Sequence, residues 1–385
     1  MRHNGLVRTW GFITGCCLFI TRAGDILPSN SKHNKHLPLL QTPDSICILR
    51  LSALGDATHV VPVVNAIRQT WPQTSLTWVI GKPESLLLQN LPNVEFIVFD
   101  KRQGWRAFRD LRRQLAGRKF DVLLHMQVAA RANLASMLIK APIRLGWDRG
   151  RSRDRHHWFI NHSVAAATRQ HQVQGFLSFA RTLGLDAEQP VWNLPVSSQD
   201  RQFAEQHIPA GAPVLVISPC SSHPHRNWQA DHYAMVADFA QTKLGMRVVL
   251  TGGPGPLERQ TGQSITQAAE QPLINLIGKD TLPQSMAILE RAALLISPDS
   301  GPAHIANALA IPVIGLYACT WSQRSGPYNS LPRCVDHFSD AALQFRNKPA
   351  EQLRWGSRIE QPGVMDLIKP GEVIAKLTEF ARQAG

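Results

Sequence analysis

The feature that most constrains this 385-residue chain is an alternation, starting at Ser45, of short β-branched runs with longer helical patterns. Each short run is almost wholly apolar, as expected of a parallel strand covered by helices on both faces. Such alternation predicts an α/β fold with parallel sheets and helical crossovers. The predicted strands are residues 46–51, 76–80, 94–99, 122–125, 143–145, 214–217, 248–250, 294–296 and 313–316.

Helical patterns fill the gaps, and a break divides the series in two. Residues 185–199 carry two prolines and no helical period, which indicates a boundary. We therefore predict two doubly wound, Rossmann-like domains facing across a cleft, one at 45–195 and one, with a C-terminal helix, at 196–385. Ligands of such domains bind beyond the carboxyl ends of the strands, so we expect the site in that cleft. The predicted helices are residues 60–71, 105–115, 231–243, 257–269, 284–291 and 302–309.

Residues 1–44 stand outside this pattern. Arg2 and Arg8 precede an apolar run at residues 10–20, which has the outline of a short signal peptide. The run is shorter than the roughly 20 apolar residues that a membrane-crossing helix needs. A dispensable or disordered extension, an interfacial anchor and an export signal all stay open, and we favour the first. The six cysteines form no CxxC pair, which is typical of a reducing compartment.

The net charge of +13 is concentrated in one half of the chain. Residues 45–195 hold 20 basic and 10 acidic side chains, whereas residues 196–385 hold 16 of each. A cationic domain attracts phosphorylated substrates, anionic lipid and nucleic acid alike. The strands lack an aromatic stacking platform, so nucleic acid is the least favoured partner. Two basic clusters are either anion-binding or solvated faces: Arg144, Arg149, Arg151, Arg153 and Arg155 with His156 and His157, and the eight Lys and Arg residues of 101–119.

The turn after the first strand contains Gly55 and Asp56. Glycine permits a tight backbone turn, and a carboxylate at the mouth of the cleft can accept a proton from an attacking hydroxyl. Capping of the following helix explains Asp56 equally well. The residues alone leave both interpretations open.

Residues 218–228 follow the first strand of the second half and combine hydroxyls with Arg226. Hydroxyl and backbone N–H groups suit phosphate oxygens, and a guanidinium can neutralise a departing diphosphate. The chain has no DxD sequence, the usual acidic spacing for a divalent metal in sugar transferases. This favours a metal-independent site, although an ordinary proline-rich loop is the alternative.

Two further turns have the composition of phosphate or nucleotide sites. Residues 297–309 place Asp299, Ser300 and Gly301 where a strand passes into a helix, whose N-terminus offers donors to an anion. Residues 250–258 read LTGGPGPLE, in which Glu258 can bond ribose hydroxyls. The GxGxxG fingerprint is missing, so a nicotinamide dinucleotide is not favoured. Helix capping and simple packing remain the alternatives for these residues.

Together these segments resemble glycosyltransferase family 9, the lipopolysaccharide heptosyltransferases, over residues 45–335. The resemblance implies a GT-B architecture, with the acceptor on the first domain and the nucleotide sugar on the second. The chain departs from the family pattern in its N-terminal extension and at Arg226, where many members have Lys. The motifs that carry it are LSALGDATH, SPCSSHPHRNW, LTGGPG, GKDTLPQSM and SPDSGPAHIANAL.

Residue roles follow from matching these motifs. The resemblance makes Asp56 the catalytic base, assisted by Arg226. It assigns donor binding to Ser221, Ser222 and Arg226 at the diphosphate, Glu258 at the ribose, the backbone near Asp280 at the adenine, and Asp299, Ser300, Gly301 and His304 at the phosphates and heptose. Acceptor binding is predicted for Gly55 and His59 of the first turn and for Arg144, Arg149 and Arg151 of the first basic cluster.

The implied enzyme is an inverting, metal-independent glycosyltransferase without a cofactor. It would move heptose from ADP-L-glycero-D-manno-heptose to Kdo, an acidic sugar of the lipopolysaccharide inner core. Its partners would be the nucleotide sugar, Kdo-lipid A and the membrane surface, and its location the cytoplasmic face of the inner membrane. A family 9 transferase with another core acceptor, and a non-catalytic nucleotide-sugar binder, are the alternatives.

Overall fold

The computed structural model describes Leu37 and residues 41–384. Within this part of the chain the strands form two six-stranded sheets, and every strand pairing is parallel. The prediction of two doubly wound sheets is confirmed. The predicted extension at residues 1–44 lies almost wholly outside the described residues.

The first sheet has the order β3-β2-β1-β4-β5-β6. Its strand order reverses between β1 and β4, so the turns after these two strands open a crevice at the carboxyl edge. The strands are β1 (Ser45–Arg50), β2 (Ser75–Gly81), β3 (Glu95–Phe99), β4 (Val122–His125), β5 (Ile143–Gly146) and β6 (His162–Ser163).

The second sheet repeats this topology, with the order β12-β11-β10-β7-β8-β9. Its order reverses between β7 and β10, which places the turns after β7 and β10 side by side. The strands are β7 (Val214–Ile217), β8 (Arg247–Leu250), β9 (Ile274–Asn275), β10 (Leu294–Pro298), β11 (Val313–Tyr317) and β12 (Val335–Asp336).

Helices cover both sheets, and the first of them begins earlier than predicted. It starts at Leu54 rather than residue 60, so Gly55 and Asp56 lie in its first turn. The helices are α1 (Leu54–Thr70), α2 (Lys82–Leu88), α3 (Trp105–Gln114), α4 (Ala130–Ser136), α5 (Gln172–Thr182), α6 (Ser198–His207), α7 (Ala230–Leu244), α8 (Pro256–Ala268), α9 (Leu282–Glu290), α10 (Gly301–Ala308), α11 (Ser322–Ser325), α12 (Phe338–Arg346) and α13 (Pro370–Ala384).

The two halves share a buried apolar cluster. Val60 and Val64 of α1 belong to the same cluster as Ala303 and Ile305 of α10, and all four side chains are at most 2% exposed. Burial of apolar surface stabilises the folded state by about 25 cal/mol per Å². The packing therefore presses the N-terminal ends of α1 and α10 together at the point where the two crevices meet.

Candidate active site

The first corner of the site, which we define as Arg50, Asp56 and Gln172, surrounds one carboxylate. Asp56 accepts hydrogen bonds from Arg50 Nη2 on Oδ2 and from Gln172 Nε2 on Oδ1. It also accepts a 3.4 Å hydrogen bond from the backbone N–H of Ala53. A carboxylate has about four acceptor positions. Three donors therefore leave one position free, and the Asp56 side chain is still 21% exposed.

Capping and catalysis thus do not exclude each other at Asp56. The backbone bond from Ala53 is a cap interaction, and a negative charge in the first turn is favoured by the helix dipole. Arg50 is oriented for its own bond because its Nη1 donates to the carbonyl of Met126 after β4, at 2.7 Å. The turns after β1 and β4 hold the carboxylate in place together.

Gln172 was not predicted as a site residue. It is the first residue of α5, 116 positions from Asp56, and follows His171, whose Nε2 bonds the carbonyl of Gly326 in the second half at 3.0 Å. Burial lowers the pKa of His171 to about 4, so this ring is neutral at pH 7 and donates through Nε2. No local pattern in the sequence signals this contact, since it depends on how the halves pack.

Gly55 lets the two halves approach closely. A Cβ at this position would lie 2.4 Å from Cδ2 of His304, which is nearer than any real contact. The sequence prediction attributed Gly55 to backbone freedom, but the residue is helical and its reason is space. Over it, His304 Nδ1 lies 3.2 Å from Nε2 of His59. Burial and then the charge of His304 lower the pKa of His59, so His59 stays neutral.

The second corner, which we define as Arg226, Asp299, His304 and Glu360, lies after β7 and β10. Arg226 Nε donates to Glu360 Oε1 at 2.8 Å, and its Nη1 lies 3.7 Å from Asp299. Asp299 in turn lies 3.8 Å from His304 Nε2. Burial would raise the pKa of Asp299, but the hydrogen bond and charge of His304 and the charge of Arg226 outweigh it and lower the pKa.

Glu360 was not predicted either. It lies 134 residues from Arg226, beyond the segment that carries the family resemblance. Burial raises its pKa, and the hydrogen bond and charge of Arg226 then bring it below the ordinary value. Glu360 fixes the orientation of the guanidinium and leaves Nη1 directed toward Asp299 and the start of α10.

Ser300 and Gly301, for which anion binding stays a prediction, lie at the start of α10. Ser300 is the N-cap, but its hydroxyl lies 2.7 Å from Ser297 Oγ and makes no cap bond. Ser221 donates from its hydroxyl to the carbonyl of His223 at 2.9 Å, whereas Ser222 is exposed. The turns after β7 and β10 therefore bring Ser221, Ser222 and Ser300 to adjacent parts of one sheet edge.

Glu258 and Asp280 lie at the next two turns along this edge, after β8 and after β9. Both Glu258 oxygens accept backbone N–H groups, from Gly253 at 3.0 Å and Gly255 at 3.2 Å, so the carboxylate shapes the glycine loop. Burial raises the pKa of Asp280 to about 6, and Thr251 Oγ1 lies 3.5 Å from it. Their roles toward ribose and adenine stay predictions.

Two of the three arginines predicted for the acceptor have structural partners. Arg144 donates to the carbonyls of Phe159, Ile139 and Ser136, each at 2.8 Å. Arg151 bonds Asp148 and, at 3.0 Å, Gln170. Only Arg149 is exposed without a bond of this kind among the described residues.

These corners define a class of protein. Two facing Rossmann-like sheets with order 3-2-1-4-5-6, each contributing the crevice at its reversal point, constitute the GT-B architecture of sugar transferases. The chain belongs to glycosyltransferase family 9, described as heptosyltransferase, whose family model matches residues 108–353.

Individual relatives agree with this assignment. The chain is 37% identical to the lipopolysaccharide core heptosyltransferase OpsX of Haemophilus influenzae, over 89% of this chain and 99% of the relative. A family 9 glycosyltransferase from Veillonella parvula has a TM-score of 0.73 at 22% identity, covering 88% of this chain and 97% of that one. The ADP-heptose LPS heptosyltransferase II of Escherichia coli has a TM-score of 0.67 at 19% identity, covering 88% and 99%.

The predicted contact with the membrane is peripheral, at the surface, and stays a prediction. Among the helices of the described residues, none has both the length and the apolar character needed to cross a bilayer.

Proposed function

We propose that this enzyme transfers heptose from ADP-L-glycero-D-manno-heptose to a hydroxyl of Kdo in the lipopolysaccharide inner core, with inversion and without a metal. The observation that carries the proposal is the geometry of Asp56. Its carboxylate is held by three donors, keeps one acceptor position free, and lies in the helix that packs against α10 of the second half. A base so placed can take the proton of an acceptor hydroxyl.

The second corner suits the leaving group. Departure of ADP builds negative charge, and Arg226 with the N-terminus of α10 offers a cation and backbone donors to it. Arg226 is 7% exposed and oriented by Glu360, so little rearrangement is needed when the charge develops. The absence of a DxD sequence agrees with a cation from the protein in place of a metal.

The donor and acceptor come from likeness to relatives. A relative 37% identical is described as a lipopolysaccharide core heptosyltransferase, and a structural neighbour as an ADP-heptose enzyme. A family 9 enzyme that adds heptose, or another sugar, to a different core acceptor is the second candidate, because the described residues fix no acceptor. Product analysis separates the two.

The decisive experiment incubates the purified full chain with ADP-heptose and Kdo-lipid A and weighs the lipid by mass spectrometry. We expect a gain of one heptose unit, and we expect turnover to persist in EDTA. Transfer only to a lipid that already carries heptose would favour the second candidate. Loss of activity in EDTA with recovery in Mg²⁺ would contradict the metal-free mechanism.

We also propose that the first half rests on an anionic membrane surface at the cytoplasmic face of the inner membrane. Helix α3 has its Trp105 80% exposed beside exposed Arg106, Arg109 and Arg112, a combination suited to lipid headgroups. Co-sedimentation with phosphatidylglycerol vesicles should exceed that with phosphatidylcholine vesicles. The variant Trp105→Ala should weaken it several-fold, and equal binding to both vesicle types would contradict this proposal.

A further inference from the structure

Three arginines of the cleft differ in how their charge is compensated. Arg50 pairs with Asp56 and Arg226 pairs with Glu360. Arg324, in α11, makes no side-chain hydrogen bond or ion pair with any residue of the described part of the chain. A partly buried guanidinium without a carboxylate is uncommon, because burial of an unpaired charge is costly.

The backbone places Arg324 at the seam between the two halves. Two residues after Arg324, the carbonyl of Gly326 accepts the hydrogen bond from His171 of the first half. Gln172, which follows His171, donates to Asp56. The side chain lies on Gly356, which has a φ of +88° and where a Cβ would be 2.9 Å from Arg324 Nε. The absence of a side chain at Gly356 gives the guanidinium its place.

Two more cations lie on chain segments next to this position. Arg358 follows Gly356 by two residues, is 59% exposed, and lies 3.9 Å from Glu360. Arg153 comes from the first half, where Arg151 bonds the side chain of Gln170 at 3.0 Å. The carbonyl of Gln170 accepts a 3.0 Å bond from Trp355 Nε1, which brings the two loops together.

The electrostatics agree with this geometry. Burial lowers the pKa of Arg324, the carboxylates of Asp56 and Asp299 act in the opposite direction, and Arg358 and Arg153 lower it further. Both corners and both neighbouring cations are therefore within electrostatic range of one guanidinium. Arg324 makes no ion pair of its own among the described residues, so the neighbouring positive charges repel it, and a ligand anion would relieve that repulsion.

We propose that Arg324, with Arg153 and Arg358, forms a subsite for a phosphate or carboxylate group of a substrate, closed by one arginine from the first half and two from the second. The planar fork of Arg324 suits two-point bonding to such a group. The group comes either from the donor diphosphate or from the acid function of the acceptor. Only this choice of source rests on the proposed function.

The test compares Arg324→Gln and Arg324→Lys with Arg354→Gln, which removes an equal charge from an exposed position on the segment that carries Gly356 and Arg358. Titration calorimetry measures the Kd of ADP, and the lipid assay measures kcat and KM for Kdo-lipid A. We expect Arg324→Gln to raise one of these two constants at least tenfold and Arg324→Lys to recover part of the loss. Arg354→Gln should stay within twofold of wild type.

The affected constant identifies the source: the Kd of ADP indicates the donor, and the KM of Kdo-lipid A indicates the acceptor. Values within twofold of wild type for both would overturn the subsite. Since Arg324 has no side-chain partner among the described residues, Arg324→Gln should keep or raise the melting temperature, and a clear fall would also overturn the subsite. If wild type forms no product, the proposed function fails, and the binding of inorganic pyrophosphate to wild type and Arg324→Gln then decides the subsite.

Discussion

The two corners of the site occupy equivalent places in two sheets of the same topology, yet they hold opposite chemistry. In the first corner an aspartate has an acceptor position directed at the cleft, and an arginine and a glutamine hold it in place. In the second corner an arginine is the group directed at the cleft, and Glu360 serves to hold it. The topology fixes where a site can form, and the side chains at the two reversal points give one half a carboxylate and the other a guanidinium.

The surroundings of the corners differ in the same sense. The Asp56 side chain is 21% exposed, so an acceptor hydroxyl can reach it. Asp299 is more deeply buried at 13%, and its carboxylate is compensated by Arg226 and His304. Asp56 is therefore accessible to an acceptor hydroxyl, whereas Asp299 is engaged with Arg226 and His304.

The largest effect should come from removing the central side chain of each corner. Asp56→Ala removes the base and should lower kcat by about 10³-fold, within the usual 10²–10⁴ range for general bases, while ADP affinity stays near wild type. Arg226→Gln should instead weaken ADP binding at least tenfold, because it removes the cation that we propose for the diphosphate. Rapid-quench kinetics and titration calorimetry measure both. Near-normal turnover in Asp56→Ala would erase the distinction between the corners.

A smaller loss should follow from releasing Asp56 without removing it. Gln172→Leu deletes one hydrogen bond to a charged group, worth about 1.5–3 kcal/mol, so kcat should fall about 10- to 100-fold at unchanged KM for the donor. Gln174→Leu, on the same helix but bonded to Tyr328 at 2.8 Å, is the matched control. Equal effects of the two variants would mean that the helix, and not the contact with Asp56, matters.

The contact between the corners can be tested at Gly55. Gly55→Ala places a methyl group 2.4 Å from the His304 ring and should destabilise the fold by about 1–3 kcal/mol, the usual range for overpacking. Gly371→Ala is the control, because no atom lies within 4 Å of its Cβ. Thermal unfolding measures both. A neutral Gly55→Ala would show that α1 and α10 are farther apart in solution.

The smallest effect concerns acid stability, which should differ between the halves. His125 ends β4, is fully buried, and has no partner for either ring nitrogen among the described residues. Burial, then the charges of His156 and Arg144, lower its pKa; the pKa of His156 is lowered to about 4, mainly by burial. Both rings are neutral in the folded protein, so protonation of these histidines favours the unfolded chain. The folded state therefore keeps its full stability above pH 6.5 and loses stability as the pH falls toward 4.

His125→Phe should remove part of that loss, up to about 2 kcal/mol at pH 5 relative to pH 7.5. Urea unfolding at the two pH values measures it, with the exposed His162→Gln as control. Hydrogen exchange at pH 5 should show that the first sheet opens before the second. In the second sheet the corresponding strand, β10, carries Ser297, which donates to the carbonyl of Ser218 at 3.1 Å. Uniform opening would contradict this difference.

The sequence predicted the architecture well because apolar runs and turn residues are local signals. Eight of the nine predicted strands have both ends within one residue of an observed strand, and the ninth, 294–296, ends two residues before β10 does. The strands that escaped prediction, β6, β9 and β12, are two residues long and lie at or near sheet edges, where little apolar surface is buried. The early start of α1 escaped because no N-cap side chain marks it: Ala53 is the N-cap.

The site was predictable only where it is local. Asp56, Arg226 and Asp299 each follow a strand, so a pattern could find them. Gln172 and Glu360 lie more than 100 residues from the groups they hold, and only the packed fold brings them there. The charge runs could not be interpreted further for a related reason, since the sequence cannot tell Arg144, whose guanidinium bonds backbone carbonyls, from an arginine that is free for a ligand.

The most direct test of the division between the corners is a crystal structure with ADP-heptose bound to Asp56→Asn. The account predicts the diphosphate between Arg226 and the start of α10, with the anomeric carbon within about 6 Å of the residue 56 side chain, which leaves room for one acceptor hydroxyl. A diphosphate bound elsewhere, or an anomeric carbon far from residue 56, would contradict it.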